Sequence, residues 1–109
     1  CIESGVLNKI LLVKTMSSLQ KLIALERDTA KLGFDWPNVE SIIDQVISEC
    51  DEIRQTIRHN EGMERLLEEV GDLIHACISL CVFQNLNVNE ALAQSTTKFS
   101  SRLDALQQI

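Results

Sequence analysis

The stretch that decides the fold is SECDEIRQTIRHNEGMERLLEEVGDL, residues 48–73, which carries two acidic pairs on either side of a turn. Glu49 and Glu52 form the first pair, and Glu69 and Asp72 form the second. Between the pairs, the HNEG segment supplies polar residues and a glycine, which are typical of a short connection. The stretch therefore predicts two helices that fold back on each other as an antiparallel hairpin.

The two pairs are predicted to lie at one level of this hairpin. Helical residues three positions apart are separated by about 60° around the axis and about 4.5 Å along it, so each pair lies on one face. In an antiparallel hairpin, residues whose numbers have the same sum lie at the same height. Glu49 with Asp72 and Glu52 with Glu69 have the same sum, so the four carboxylates are expected to converge.

Converging carboxylates repel one another unless cations lie among them, and an all-oxygen cluster suits Mg²⁺ or Mn²⁺ better than zinc or copper. The alternative interpretation is a solvated helix face, because acidic residues at this spacing are common where nothing binds. The matched height of the two pairs favours the metal site. Gly71 also favours it, since it occupies a helical position where another residue would be more stable.

The rest of the chain is predicted to be helical as well, because apolar residues recur every three or four positions. The expected helices cover about residues 6–32, 39–58, 63–84 and 88–109. Gly33 ends the first helix, and Asn38 caps the second. Asn87 and Glu90 have the spacing of a capping box at the start of the fourth.

Composition favours one all-α domain. Only 4% of the residues are aromatic and none is tyrosine, so a core of leucine, isoleucine, valine and alanine suits packed helices better than a β-sandwich. The length of 109 residues is enough for one core and too short for two. Residues 1–109 are therefore predicted to form a single domain, a hairpin with flanking helices in a four-helix, bundle-like arrangement.

Charge and cysteine usage bound the partners and the compartment. The net charge of −6 disfavours binding to a nucleic-acid polymer. The longest uncharged apolar stretch is too short to cross a bilayer, so no membrane partner is expected. The four cysteines show no CxxC spacing, which favours reduced thiols, and no secretory or transit segment is recognised. We therefore expect a cytoplasmic protein.

The ordered set of motifs resembles the C-terminal-type domain of the MazG nucleoside triphosphate pyrophosphohydrolases, in the all-α NTP pyrophosphatase group. GFDWP at 33–37, the Glu49–Glu52 pair, LEEVGDL at 67–73 and KFSSR at 98–102 carry the resemblance. The resemblance implies Mg²⁺-dependent hydrolysis of a nucleoside triphosphate to the monophosphate and pyrophosphate. It implies that the four carboxylates, Glu49, Glu52, Glu69 and Asp72, are the metal-binding and catalytic residues.

The resemblance also implies residues that contact the substrate. Lys98 and Arg102 lie four positions apart on the expected last helix, so they share a face suited to phosphate oxygens. Arg65, one turn before Glu69, is a further candidate for phosphate contact, with a surface ion pair as the alternative. Trp36 either stacks on the base or covers an apolar edge of the hairpin.

Three further expectations concern His75, assembly and two departures from the family pattern. His75 follows Asp72 by one turn, but its apolar surroundings favour a core or subunit-interface histidine over a fifth ligand. A homodimer or higher homo-oligomer is predicted from the apolar segment IHACISLCVF, and the resemblance implies it as well because family members form such assemblies. Ser48 and Thr96 stand where the family commonly has glutamate and asparagine. The alternative function is accordingly a catalytically degenerate interaction or regulatory module of the same fold.

Overall fold

The computed structural model describes residues 16–108, and this part of the chain consists of four helices without strands. The helices are α1 (Ser18–Lys31), α2 (Val39–Arg58), α3 (Met63–Phe83) and α4 (Val88–Gln107). The all-α prediction is therefore confirmed. The predicted bounds of the second, third and fourth helices agree with the structure to within one or two residues at each end that the structure describes.

The start of α1 differs from the continuous helix expected over 6–32. Ser17 has an extended backbone conformation, and its side chain accepts a hydrogen bond from the Gln20 amide. The Gln20 side chain in turn accepts from the Ser17 amide, which completes a capping box. A helix begins at Ser18 because this box satisfies its free amides, and residues 6–15 of the expected helix lie outside the described part.

The first three helices end in the same way, with a residue in the left-handed backbone region. These residues are Gly33 (φ 91°), Asn60 (φ 50°) and Asn85 (φ 56°). In each case the next amide donates to a carbonyl five residues earlier, as in the bond of 3.1 Å from Phe34 to Thr29. Glycine and asparagine are the residues that adopt this conformation at least cost, so local chemistry fixes all three helix ends.

The helix α3 is the centre of the fold, because α2 packs along one side of it and α1 along another. Ile23 of α1, Ile78 of α3 and Val88 of α4 form the main buried apolar cluster. Ile42 of α2 is fully buried and Ala76 is nearly so. The connection at 59–62 thus produces the antiparallel hairpin predicted from the sequence, with α1 laid across it.

The helix α4 contacts α3 only near its own start, and every side chain from Asn89 to Gln108 is exposed. The described part of the chain is therefore three packed helices followed by a fourth that lacks a covered face. Large apolar residues recur along this helix at spacings of three, four and seven. They are Leu92, Phe99, Leu103 and Leu106.

The hairpin itself also exposes apolar side chains, which we call the hairpin stripe. They recur at spacings of three, four or seven, so on each helix they share one face. The stripe comprises Ile43, Ile47, Cys50 and Ile57 on α2, and Met63, Leu67, Val70, Ile74 and Cys77 on α3. Among residues 16–108, no helix has both the length and the apolar character needed to cross a membrane.

Candidate metal and nucleotide site

The hairpin brings three of the four predicted carboxylates together. Glu49 of α2 and Glu69 and Asp72 of α3 each offer one oxygen, and these oxygens lie within 4.8 Å of one another. We call this group the acidic cluster. Its members come from both helices, as the equal residue sums predicted, because α2 and α3 run antiparallel from a short connection.

Two members of the acidic cluster are buried, which is unusual for glutamate. Glu49 is 7% exposed and Glu69 is 2% exposed. Gln45 Nε2 donates to Glu49 Oε1 at 2.7 Å, and Arg65 Nη2 contacts Glu69 Oε1 at 2.8 Å. The remaining Oε2 atom of each glutamate is buried without a hydrogen-bond partner among the described residues.

Buried carboxylate oxygens without donors carry a desolvation cost, so a native protein ordinarily supplies a partner. A hard divalent cation is such a partner, because it prefers carboxylate oxygens and neutralises several of them at once. The donor set of the acidic cluster, which is all oxygen, therefore fits Mg²⁺ or Mn²⁺. Neither nitrogen nor sulfur from a histidine or cysteine is among its grouped ligand atoms.

Glu52 lies outside the group of three but within its electrostatic reach. The neighbouring Glu69 carboxyl raises the pKa of Glu52, and the negative charges of Glu49 and Glu69 raise it further. The cause is that two neighbouring carboxyls hold a proton more tightly than either does alone. Glu52 is exposed, so its side chain is free to turn toward a cation held by the other three.

A cleft of about 300 Å³ opens beside these residues, with Ser48, Glu52, Arg65 and Glu69 among its lining. Two larger cavities, of about 590 and 500 Å³, lie between α1 and the connection from α3 to α4. No residue of the acidic cluster lines either of them. We place the site at the smaller cleft because ligand chemistry is concentrated there, and volume alone carries no chemical information.

Arg65 lies at the edge of this cleft and is engaged by acidic neighbours. Besides its contact with Glu69, its Nη1 atom lies 3.3 Å from Glu68 Oε2. The ion pair that was the alternative interpretation is therefore present. The position is also suited to a phosphate, because the guanidinium is half-exposed and borders the cleft.

Lys98 and Arg102 are not brought to the acidic cluster of their own chain. Both are exposed on α4, beyond the part of that helix that contacts α3, and neither lines the cleft. Neither forms an ion pair within residues 16–108. Thr96, on the same helix, donates its hydroxyl to the carbonyl of Leu92 at 2.8 Å and so is satisfied within the helix.

Trp36 is partly buried in the connection between α1 and α2, and its indole Nε1 lies 3.5 Å from Glu26 Oε1. His75 Nε2 lies 3.0 Å from Glu26 Oε2. The core alternative for His75 is wrong, because its side chain is 48% exposed and a charged residue of α1 satisfies its ring. The subunit-interface alternative stays a prediction. Sequence reasoning missed Glu26, whose only signal is one charge in the amphipathic pattern of α1.

Comparison with known proteins gives a consistent set of similarities. A family model for the MazG nucleotide pyrophosphohydrolase domain matches residues 38–106. The nucleoside triphosphate pyrophosphohydrolase of Escherichia coli (strain K12) is 27% identical over 97 residues, which are 88% of this chain and 37% of that protein. The nucleoside triphosphate pyrophosphohydrolase/pyrophosphatase MazG of Thermotoga maritima is 26% identical over 85 residues, covering 78% and 32%. The chain thus spans about a third of the length of these curated relatives.

Proposed function

Because the chain belongs to the MazG nucleotide pyrophosphohydrolase domain family, as its motifs predicted, we propose that it hydrolyses nucleoside triphosphates to the monophosphate and pyrophosphate. The observation that carries this proposal is the pair of buried Oε2 atoms of Glu49 and Glu69, which lack hydrogen-bond partners among the described residues and border one cluster of oxygens. Such a cluster is stable around a cation, and a triphosphate is the kind of substrate that needs one.

The residues that would hold the cation are Glu49, Glu69 and Asp72, with Glu52 as the fourth carboxylate. A divalent ion bound there, Mg²⁺ with Mn²⁺ as a substitute, supplies charge neutralisation of the triphosphate and a water of lowered pKa. Gln45 holds Glu49 in place, and Arg65 holds Glu69, so the ligand geometry is fixed before substrate arrives. Trp36, partly buried beside α1, is proposed to contact the base by stacking.

Positive charge for the phosphates comes from two places. Arg65 borders the cleft, and its contact with Glu68 is exchanged for one with a phosphate oxygen when substrate binds. Lys98 and Arg102 are exposed on α4, do not line the cleft and form no ion pair with the acidic cluster of their own chain. We therefore propose that they serve the cluster of a second copy, so that each site of a homodimer uses carboxylates of one protomer and cations of the other.

The dimer is supported by the apolar surface that a single copy leaves uncovered. The hairpin stripe and the apolar residues of α4 both follow the spacing that packs helix against helix. Monomeric proteins rarely expose continuous apolar faces of this kind. A second copy would cover the stripe and bring its α4 toward the cleft.

Three cysteines of the described part carry free thiols, which supports the proposal of a cytoplasmic location.

A catalytically degenerate module of the same fold is the second candidate, and Ser48 is the observation that favours it. This serine lines the cleft at a position where the family commonly has a further carboxylate. With less negative charge, the cleft would hold cations less strongly. Turnover separates the two candidates, because a module keeps the fold and the acidic cluster but releases no product.

The test is incubation of the protein with a panel of ribo- and deoxyribonucleoside triphosphates and Mg²⁺, with the products separated by ion-exchange chromatography. We expect monophosphate and pyrophosphate in equal amounts, and no product when a chelator replaces Mg²⁺. Orthophosphate with diphosphate as the first products would overturn the reaction assigned here. Absence of product from every nucleotide, with binding of a non-hydrolysable analogue retained, would identify the degenerate module.

A further inference from the structure

The carboxylate of Glu26 joins three segments of the fold, although it belongs to none of the family motifs. It lies on α1 and contacts the indole nitrogen of Trp36 at 3.5 Å, at the upper limit for a hydrogen bond. Its other oxygen is 3.0 Å from Nε2 of His75 on α3. Ser79, whose side chain is fully buried on α3, also hydrogen-bonds to it. One side chain therefore links α1, the connection after it, and α3.

Glu26 is largely buried, with 16% of its side chain exposed, yet its pKa is lowered, which favours the ionised form. Burial by itself raises the pKa of its carboxyl, but the hydrogen bonds from Ser79, His75 and Trp36 outweigh this effect and lower it. An ionised acceptor strengthens and orients each of its donors. The positions of the Trp36 and His75 rings are therefore set by this one group.

The contact also determines which nitrogen of His75 carries the proton in the neutral ring. Because a carboxylate only accepts hydrogen bonds, the nitrogen facing Glu26, Nε2, is the donor. The other nitrogen, Nδ1, is then an acceptor with a lone pair. The His75 side chain is about half-exposed, so a ligand can approach its ring from the solvent. The Glu26 carboxylate thus leaves His75 Nδ1 as a hydrogen-bond acceptor, which favours a ligand that donates a hydrogen bond.

The position of His75 relative to the acidic cluster suggests a role in nucleotide binding. His75 follows Asp72 by three residues, a rise of about 4.5 Å along α3. In a nucleotide cleaved at the α-phosphate, the sugar is the part directly attached to the reacting phosphorus, and the base lies beyond it. A triphosphate held at Asp72 would therefore direct its sugar toward His75. Trp36 contacts the same Glu26 carboxylate as His75, so the base would be directed toward Trp36.

We propose that Glu26 is a positioning residue for nucleoside recognition, which holds the Trp36 ring for the base and presents His75 Nδ1 to a hydroxyl of the sugar. The proposal rests on the proposed nucleotide substrate. It adds two residues that neither the family motifs nor the four carboxylates include. Neither residue takes part in cation binding, so changes at this site alter nucleoside affinity and leave the affinity for Mg²⁺ unchanged.

The experiment compares the full chain with Glu26→Leu, Glu26→Gln and His75→Phe, and uses Asp28→Asn as the matched control. Asp28 is a second acid of α1, but it is exposed and forms no ion pair among the described residues. Trp36 is the single tryptophan of the chain, so fluorescence reports its environment without any substrate. Glu26→Leu should shift the emission and increase quenching by acrylamide, whereas Glu26→Gln, which keeps an acceptor oxygen, should resemble the parent.

Binding of a non-hydrolysable nucleoside triphosphate analogue with Mg²⁺ is then measured by calorimetry. Loss of one or two hydrogen bonds in Glu26→Leu should raise Kd about three- to tenfold, and Asp28→Asn should stay near the parent. Glu26→Gln has one acceptor oxygen for two donors, so its Kd should lie between those of Glu26→Leu and the parent. The variant His75→Phe keeps an aromatic ring but lacks the acceptor nitrogen. Because His75 is half-exposed, this change should leave the core intact. The parent should prefer the ribonucleotide analogue over its 2′,3′-dideoxy counterpart, and His75→Phe should lose that preference.

The outcomes separate this inference from the proposed function. If the parent binds no analogue, the nucleotide function fails, and the recognition role fails with it. If the parent binds the analogue but Glu26→Leu binds it equally well, only the role of Glu26 is overturned. Equal affinity of the parent for ribose and dideoxyribose analogues would overturn the role of His75. A circular dichroism spectrum that matches the parent shows that each variant is folded, and His75→Phe tests the proposal should Glu26→Leu fail to fold.

Discussion

Glu49 and Glu69, on opposite arms of the hairpin, each bury one carboxylate oxygen that has no hydrogen-bond partner among the described residues. Their other oxygens are satisfied by Gln45 and Arg65, so the two side chains are held in position with the remaining oxygens available. This arrangement is costly in the absence of a cation and favourable in its presence.

Removal of one carboxylate charge from the acidic cluster should abolish most turnover. We expect Asp72→Asn and Glu69→Gln each to lower kcat/KM by about 100-fold or more, because each removes a metal ligand. Pyrophosphate release at saturating Mg²⁺ is the measurement. The control is Glu64→Gln, which changes an exposed acid near the start of the same helix and should retain the parent rate. Near-normal rates in both cluster variants would rule out this metal site.

The metal-free protein should gain thermal stability when Glu52 is neutralised. The folded-state pKa of Glu52 is raised above its ordinary value of 4.5, so the stabilising contribution is present below that pH. It is lost as the pH rises through the folded-state pKa. At pH 7 without metal, Glu52→Gln should therefore melt at a higher temperature than the parent, as measured by differential scanning calorimetry.

Mg²⁺ should reverse this order. At ten times its dissociation constant, a cation that binds only the folded state stabilises the parent by about 1.4 kcal/mol. Glu52→Gln should show a smaller increase in melting temperature, because one of the carboxylates that face the ion is neutral. A parent melting temperature that does not respond to Mg²⁺ or Mn²⁺ would contradict the proposed cation.

Acid should destabilise the protein in part through Glu26. Its folded-state pKa is lowered from 4.5, so its contribution is present above pH 4.5 and is lost as the pH falls through the folded-state pKa. Between pH 5 and pH 3, the parent should lose more stability than Glu26→Gln, which does not titrate. Urea denaturation at several pH values measures the difference. Parallel stability curves for the two proteins would show that the Glu26 contacts contribute nothing.

Gly71→Ala tests whether a second copy packs against the hairpin. A Cβ atom at Gly71 meets nothing within 4 Å in a single chain, and the residue lies within the helix α3. In an isolated chain, alanine should stabilise that helix by roughly 0.5–1 kcal/mol. If a partner helix approaches closely there, the same change should instead weaken the dimer, measured as a rise in the dissociation constant by analytical ultracentrifugation. A more stable protein of unchanged oligomeric state would place the dimer contact elsewhere.

Mixing of two inactive variants tests whether α4 acts on the partner's site. A Lys98→Ala/Arg102→Ala protein retains its carboxylates, and an Asp72→Asn protein retains its cations. After unfolding and refolding together, half of the dimers carry one intact composite site, so activity should recover to about one quarter of the parent value. The control is each variant refolded alone. No recovery in a mixture shown to contain heterodimers would mean that these cations do not act across the dimer.

Local chemistry allowed much of the fold to be predicted. The helices, their caps and the turns at Gly33 and Asn60 depend on residues within five positions of each other. Such features can be predicted from the sequence because the interacting residues are neighbours in it. The capping box of Ser17 and Gln20 was equally readable but was missed, because the apolar period continues through it. The level of the two acidic pairs followed from helix geometry and the short connection between α2 and α3.

The sequence by itself thus determined the helices, their antiparallel order in the hairpin and the height at which Glu49 and Asp72 meet. Only the tertiary structure decided that Glu49 and Glu69 are buried, that Lys98 and Arg102 do not line the cleft of their own chain, and that Glu26 meets His75 across 49 positions of chain. The physical reason is that helical periodicity fixes angle and rise within one helix. Which faces of distant helices meet depends on side-chain packing summed over the whole interface, and no local spacing encodes that sum.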